Sequence, residues 1–399
     1  MSESKMLGGA PSKLNDAPII LYAAPMSLWS GKARAYFRKQ GIAFNEVMPG
    51  HASYRENIFP QTQRGIVPVV QLQDGSILQD TLVIIDHFEQ AEAGKFSVYP
   101  TTPQQRLSAL VLDLFGSEGL LKVAMHYRWN FLDYNETFLR SEFGDHIAPG
   151  QSPEVIQKMA DKVMAPMQAY LPLLGVNEKT VPAIEAQYLE LLTLLNHHFE
   201  QYPYLLGGQP SVADYGLFAP LYAHLSRDPY PGLLMKQHAP RLYRWIERMN
   251  AENADTPEFG DCETGYFKGD TIPDTLQALL ALVGRDFVPE IKQAVAHINA
   301  WLSEHPDVEG QCVTEKPRLK MLGQMDYPFR GTAVTGMVIP YQLLMLQRIT
   351  DFYDQLTAGE QQAMVAFLEP LGLADLLTLT AARRVERANH IEVWGKTSN

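Results

Sequence analysis

Residues Leu21 to Ile42 read LYAAPMSLWSGKARAYFRKQGI, and the fold turns on how that stretch is parsed. The run Ile19-Ile20-Leu21-Tyr22 is short and apolar, which suits a buried strand. Ser30 to Gln40 reads as a helix closed by Gly41, because glycine takes the left-handed conformation that ends helices at least cost. Phe44 to Val47 supplies a second strand. Two strands joined through a helix cross over in the right-handed sense, so the spacing predicts one parallel strand-helix-strand unit. Further on, Val67 to Leu72, the turn Gln73-Asp74-Gly75 and Ser76 to Leu78 predict an antiparallel hairpin, Asp-Gly between apolar runs being a strong turn signal. A helix over Thr81 to Ala91 completes the unit.

The whole chain has 399 residues, 46% of them hydrophobic, which is enough for two to three domains of roughly 100–200 residues each. Lysine and arginine number 33 against 45 aspartates and glutamates, a formal charge of −12. No global positive field exists to hold nucleic acid or an anionic membrane surface. The two cysteines, Cys262 and Cys312, are too few for a disulfide framework or a four-cysteine zinc site, and such usage suits a reducing cytoplasm. Residues 1–16, MSESKMLGGAPSKLND, lack the apolar core of ~7–15 residues that a signal peptide needs and read as a disordered lead-in. The charge-free stretch Gly331 to Gln347 is interrupted by Thr332, Thr335, Pro340 and Gln342, whereas a spanning helix wants about 18 or more apolar residues.

After Pro100 amphipathic helical stripes replace strands: Leu107, Leu110, Val111, Leu114 and Phe115; Ile156, Met159, Val163 and Met167; Tyr188, Leu191, Leu192, Leu195 and Phe199. The turn Leu206 to Pro210 precedes Ser211-Val212-Ala213-Asp214, a capping box with aspartate in the usual glutamate place. The polar stretch Ala251 to Gly260 reads as a boundary. Beyond it come further stripes, Ile291 to Trp301 and Leu346 to Leu356, and a second capping box at Thr357. Arg383, Arg384 and Arg387 read as the solvated face of a terminal helix.

In order and spacing these segments resemble the glutathione transferase superfamily. LYAAPMSLWSGKARAYFRKQGI is similar to its first strand, active-site turn and first helix; GIVPVVQLQDGSILQDT (Gly65 to Thr81) to its Val-Pro hairpin; GGQPSVADYGL (Gly207 to Leu217) to its capping-box helix; APRLYRWIERM (Ala239 to Met249) to its closing helix. The resemblance implies an α/β thioredoxin-like domain over 17–95 and an all-helical domain over 96–252. A mostly helical extension over 258–399 lies outside it.

The resemblance also implies chemistry. Ser27 sits where the family carries its catalytic serine, cysteine or tyrosine, and a serine there would donate to the glutathione thiolate; a serine also suits a plain helix N-cap. Pro68 would be cis, turning the backbone of Val67 toward the glutathione peptide. Asp80 and Thr81, where the family more often has Glu-Ser, would take the γ-glutamyl end, and Arg64 (with Gln63) the glycyl carboxylate; each also reads as a cap or a solvated loop residue. Met125, Tyr127 and Trp129 stand as candidates for the wall of the electrophile pocket, although such a cluster is more often core. Ser211 and Asp214 would serve folding, not chemistry. No His-Glu-x-x-His spacing, glycine-rich dinucleotide fingerprint or phosphate-loop lysine is present, so neither a metal nor a nucleotide is expected. The reading is a cytoplasmic, homodimeric, serine-type glutathione transferase acting on a small hydrophobic electrophile. Its rival is a non-catalytic glutathione-binding or scaffold protein that recruits a partner through the extension.

Overall fold

The computed structural model describes residues 19–252, 259–317 and 319–397. The expected lead-in, 1–16, lies outside them. Strand β1 (Ile20–Tyr22) runs into helix α1 (Leu28–Gln40), which Gly41 ends in the left-handed conformation, φ 67°. Strand β2 (Asn45–Val47), the single turn α2 (Phe59–Thr62), strands β3 (Val69–Gln71) and β4 (Ile77–Gln79), and helix α3 (Thr81–Gln90) follow. The sheet order is β2-β1-β3-β4, with β1 parallel to β2 and antiparallel to β3. This is the thioredoxin-like arrangement the sequence predicts, and its elements fall within a few residues of the expected bounds.

The helical domain runs through α4 (Pro103–Leu114), α5 (Leu121–Trp129), α6 (Leu132–Ile147), α7 (Pro153–Gln168), α8 (Val181–Gln201), α9 (Val212–Ala223), α10 (Pro229–His238) and α11 (Pro240–Met249). Helix α9 is its central member, buried along most of its length. It lies tight against α4: a Cβ at Gly216 would stand 2.5 Å from the Asp113 carboxylate and 2.6 Å from its Cα, so only glycine permits that approach. Asp113 in turn receives the buried Lys32 ammonium from α1, an ion pair that ties the two domains together. The Ser211–Asp214 capping box is present and does more than cap. The Asp214 carboxylate accepts from the amides of Ser211 (2.8 Å) and Leu205 (3.1 Å) and from the Trp245 indole of α11 (3.2 Å).

The extension contributes α12 (Asp274–Asp286), α13 (Val288–Glu304), α14 (Pro340–Asp354) and α15 (Ala358–Leu368), the last opened by the Thr357–Glu360 capping box. It also contains two hairpins not expected from sequence: β5 (Gly323–Phe329) with β6 (Thr332–Val338), and β7 (Arg383–Ala388) with β8 (Ile391–Thr397). The arginine run therefore lies on a strand, not on a terminal helix. Its members are also not simply solvated: Arg384 pairs with Asp351 and Arg383 reaches Glu309. The base of the β7–β8 hairpin is fixed. Gln347 of α14 both donates to the Val385 carbonyl and accepts from its amide, and Trp394 stacks on Trp301 at 5.6 Å between ring centroids. The extension is not a separate body, since its apolar residues share one core with those of both transferase-like domains. Among the described residues no helix is long and apolar enough to cross a membrane.

Candidate functional site

The register of the sheet gathers the expected site residues. Tyr22 pairs with Val69, and Val69 with Gln79, so the end of β1, the start of β3 and the end of β4 meet at one edge. Ser27 lies five residues beyond Tyr22, Val67 two before Val69, and Asp80 immediately after Gln79. Three distant segments of sequence thus emerge side by side.

Ser27 is the N-cap of α1. Its backbone is extended, its Oγ accepts from the Ser30 amide at 3.3 Å and its carbonyl accepts from Gly31 at 3.0 Å. The N-cap reading is therefore correct, yet it leaves the hydroxyl proton free: the Ser27 side chain donates to no group among the described residues. It is half-buried and sits at the positive end of a 13-residue helix. Ser30, by contrast, is fully buried and accepts from the Ala24 amide at 3.2 Å, a structural role. The turn is pinned from the helical domain by Arg128, which donates to the Met26 carbonyl at 3.0 Å while its other nitrogens engage Asp228 at 2.7 and 2.8 Å. Sequence reasoning had no means to find this anchor, because the partners lie about a hundred residues apart.

The Val67–Pro68 bond is cis. Val67 precedes the ladder, which begins at Val69, so its peptide group stays outside the sheet pairing. Thr81 is buried at the first position of α3, and its hydroxyl has no hydrogen-bond partner among the described residues. Asp80 caps α3, with Oδ1 accepting from the Leu82 amide at 2.7 Å, and holds a φ of +91°. Non-glycine residues pay for that conformation, and such outliers concentrate at ligand clamps.

The extension reaches these same residues. Arg387 of β7 donates to Asp80 Oδ2 at 2.7 Å, and the Tyr341 hydroxyl of α14 donates to Oδ1 at 2.9 Å. Arg64 is not a solvated loop residue: it donates to Glu392 of β8 at 2.6 Å and to the His390 carbonyl at 3.2 Å. Arg387 and Glu392 also pair with each other at 2.7 Å. Burial would raise the Glu392 carboxyl, but the Arg64 hydrogen bond and the Arg387 charge hold it below the ordinary glutamate range. Lys320 lies over the Trp29 ring at 4.2 Å. Glu118, buried in the turn Phe115–Gly119, is pushed up to about 8 by burial, the Lys320 charge opposing and those of Asp80 and Glu290 reinforcing the rise.

The expected electrophile wall fares differently. Tyr127 and Trp129 are each 2% exposed, Tyr127 packed against Phe131, Tyr188 and Tyr230, and Trp129 against Phe143. Both are core of the helical domain, as such clusters usually are, and only Met125 keeps partial exposure. Neither cysteine lies in the segment between β1 and α1; Cys262 and Cys312 are both free thiols in the extension. No group of three or more histidine, cysteine, aspartate or glutamate side chains among the described residues is placed to hold a metal ion.

Comparison with known proteins matches residues 21–96 to the family model of the glutathione S-transferase N-terminal domain and residues 155–253 to that of the glutathione S-transferase C-terminal domain. No curated protein matches the sequence. Similar solved structures include the β-etherase LigF from Sphingobium sp. strain SYK-6, 19% identical over 61% of this chain and 99% of that one, with a TM-score of 0.39. Another is Ure2p5 from Phanerochaete chrysosporium, cocrystallised with 1-(S-glutathionyl)-2,4-dinitrobenzene, 12% identical over 58% of this chain and 89% of that one, with a TM-score of 0.36.

Proposed function

The chain belongs to the glutathione transferase superfamily, with an added C-terminal extension, and from that premise we propose that it is a serine-type glutathione transferase. The observation that carries the reading is Ser27: an N-cap whose oxygen is satisfied by the helix while its proton remains available, on a segment that leaves the same end of the sheet as those carrying Val67 and Thr81. Glutathione would lie along Val67, with its γ-glutamyl end toward Asp80 and Thr81 and its glycyl end toward Arg64. Its thiol loses a proton to solvent, and Ser27 donates to the resulting thiolate. A charge-assisted hydrogen bond of that kind contributes ~1.5–3 kcal/mol, which lowers the thiol pKa by about 1–2 units. The sulfur then bonds to an electrophilic carbon as the leaving group departs with its electron pair. The electrophile is small and hydrophobic, the protein is cytoplasmic, and a homodimer is inferred from the family.

Retention on glutathione resin, together with conjugation of a chlorinated aromatic that falls at least about tenfold in Ser27→Ala, would support the transferase. A second reading is favoured by the ion pairs of Asp80 with Arg387 and Arg64 with Glu392: a non-catalytic protein whose peptide site is taken by its own extension. Failure of the wild-type chain to be retained or to conjugate would leave that reading standing.

A further inference from the structure

Two charged residues expected to grip the ends of glutathione are already gripped. Asp80, the expected partner of the ligand ammonium, receives the Arg387 guanidinium and the Tyr341 hydroxyl. Arg64, the expected partner of a ligand carboxylate, receives the Glu392 carboxylate. The signs match: the hairpin presents a cation where the peptide would bring a cation and an anion where it would bring an anion. All four charged groups are largely removed from water, with side-chain exposures of 16% and 13% for Arg387 and Asp80 and 8% and 12% for Arg64 and Glu392.

We propose that the tip of the β7–β8 hairpin is an intramolecular occupant of the peptide site, Arg387 and Glu392 standing in for the charged ends of glutathione, so that the ligand binds only when the tip yields. The inference rests on the reading of this edge as a glutathione site. The architecture suits a latch. The hairpin base is held by Gln347 and by the Trp394–Trp301 stack, whereas the tip turns through Asn389 and His390, both at positive φ, 47° and 65°. Only the last residues of the hairpin, or the two side chains alone, need to move. Each hairpin group stands where its ligand counterpart would have to stand, Arg387 at hydrogen-bonding distance from Asp80 and Glu392 from Arg64. A site that is competent for only a fraction of the time binds with an apparent affinity reduced by that fraction. Contacts between the hairpin and the site therefore oppose the ligand even though they stabilise the fold.

The test uses the full-length protein and S-methylglutathione, which keeps both charged ends and cannot form a disulfide. Calorimetric titration of wild type and of the double variant Arg387→Gln with Glu392→Gln should show binding at least about tenfold tighter in the variant, since both competing ion pairs are then removed. Tyr341→Phe, which removes one hydrogen bond to Asp80, should shift affinity the same way by a smaller factor and covers the case in which the double variant does not fold. In wild type, saturating S-methylglutathione should also speed hydrogen exchange of the backbone amides over 387–392, which a purely structural hairpin would not do. Binding that is equal or weaker in the variants, with wild type still binding, would overturn the latch alone. No binding by any of the folded proteins would overturn the glutathione reading and the latch with it.

Discussion

The Arg387 guanidinium lies 2.7 Å from the Asp80 carboxylate, 307 residues back along the chain. A C-terminal strand is thereby joined to the residue that opens α3, and the extension becomes part of the candidate site instead of an appendage to it. Arg387 stays charged throughout any accessible pH: burial alone would lower its pKa, but Asp80, Tyr341 and Glu392 more than offset that.

The N-cap role of Ser27 and the catalytic role proposed for it can be separated by substitution. Ser27→Ala removes both the hydroxyl and the cap, with ~0.5–2 kcal/mol of stability lost, whereas glycine at an N-cap costs only a few tenths. Ser27→Gly should therefore melt close to wild type yet lose at least about tenfold in conjugation rate, the rate being read with a chlorinated aromatic and the melting by calorimetry. A Ser27→Gly protein with full activity would remove the hydroxyl from the chemistry.

Glu118 makes stability depend on pH. Its folded pKa of about 8 exceeds the ordinary value of 4.5, so the stabilisation from its neutral form is complete below about 4.5 and is lost as pH rises through 8. Glu118→Gln removes that dependence. The variant should gain stability relative to wild type as pH increases, on the order of 2–4 kcal/mol at pH 8 and near nothing at pH 4, measured by urea unfolding at each pH.

Asp214 and Ser211 share a cap but not a cost. Ser211→Ala should lose ~0.5–2 kcal/mol. Asp214→Ala leaves the Leu205 and Ser211 amides and the Trp245 indole without their buried acceptor, at about 1–3 kcal/mol each, and should be markedly worse. Urea midpoints that rank the two the other way would show that the local cap outweighs the link to α11. Glutathione affinity should be unchanged in Ser211→Ala.

The homodimer inferred from the family predicts a light-scattering mass twice that of one chain. A mass equal to one chain would place the extension, or the segment Gly144 to Pro153, over the surface the family ordinarily pairs.

The thioredoxin-like domain was legible because its signals are local: an apolar run, a glycine stop, Asp-Gly between strands. The same holds for the capping boxes at Ser211 and Thr357. The two extension hairpins were not legible, since their turns use Arg330-Gly331 and Asn389-His390 in left-handed conformations and lack the usual Asn-Gly or Asp-Gly signal. Strand β7 also misled through its arginines, whose spacing at 383, 384 and 387 matches one helical face. The contacts of Arg387 with Asp80 and of Glu392 with Arg64 span 307 and 328 residues, and no local pattern encodes them. The candidate site was thus half readable: its thioredoxin-like residues follow from one contiguous segment, and what covers them does not.

Trp29 stands two residues after Ser27, half-buried beneath the Lys320 ammonium, while Trp129, Trp245 and Trp394 are sealed in the core and Trp301 is stacked between His305 and Trp394. An indole with a cation against its face emits according to whatever occupies that face. The protein therefore carries its own optical reporter: a molecule entering beside Ser27 should change the intrinsic fluorescence through Trp29 above all, and Trp29→Phe should silence that change, so occupancy can be followed in real time without a label or a reactive substrate.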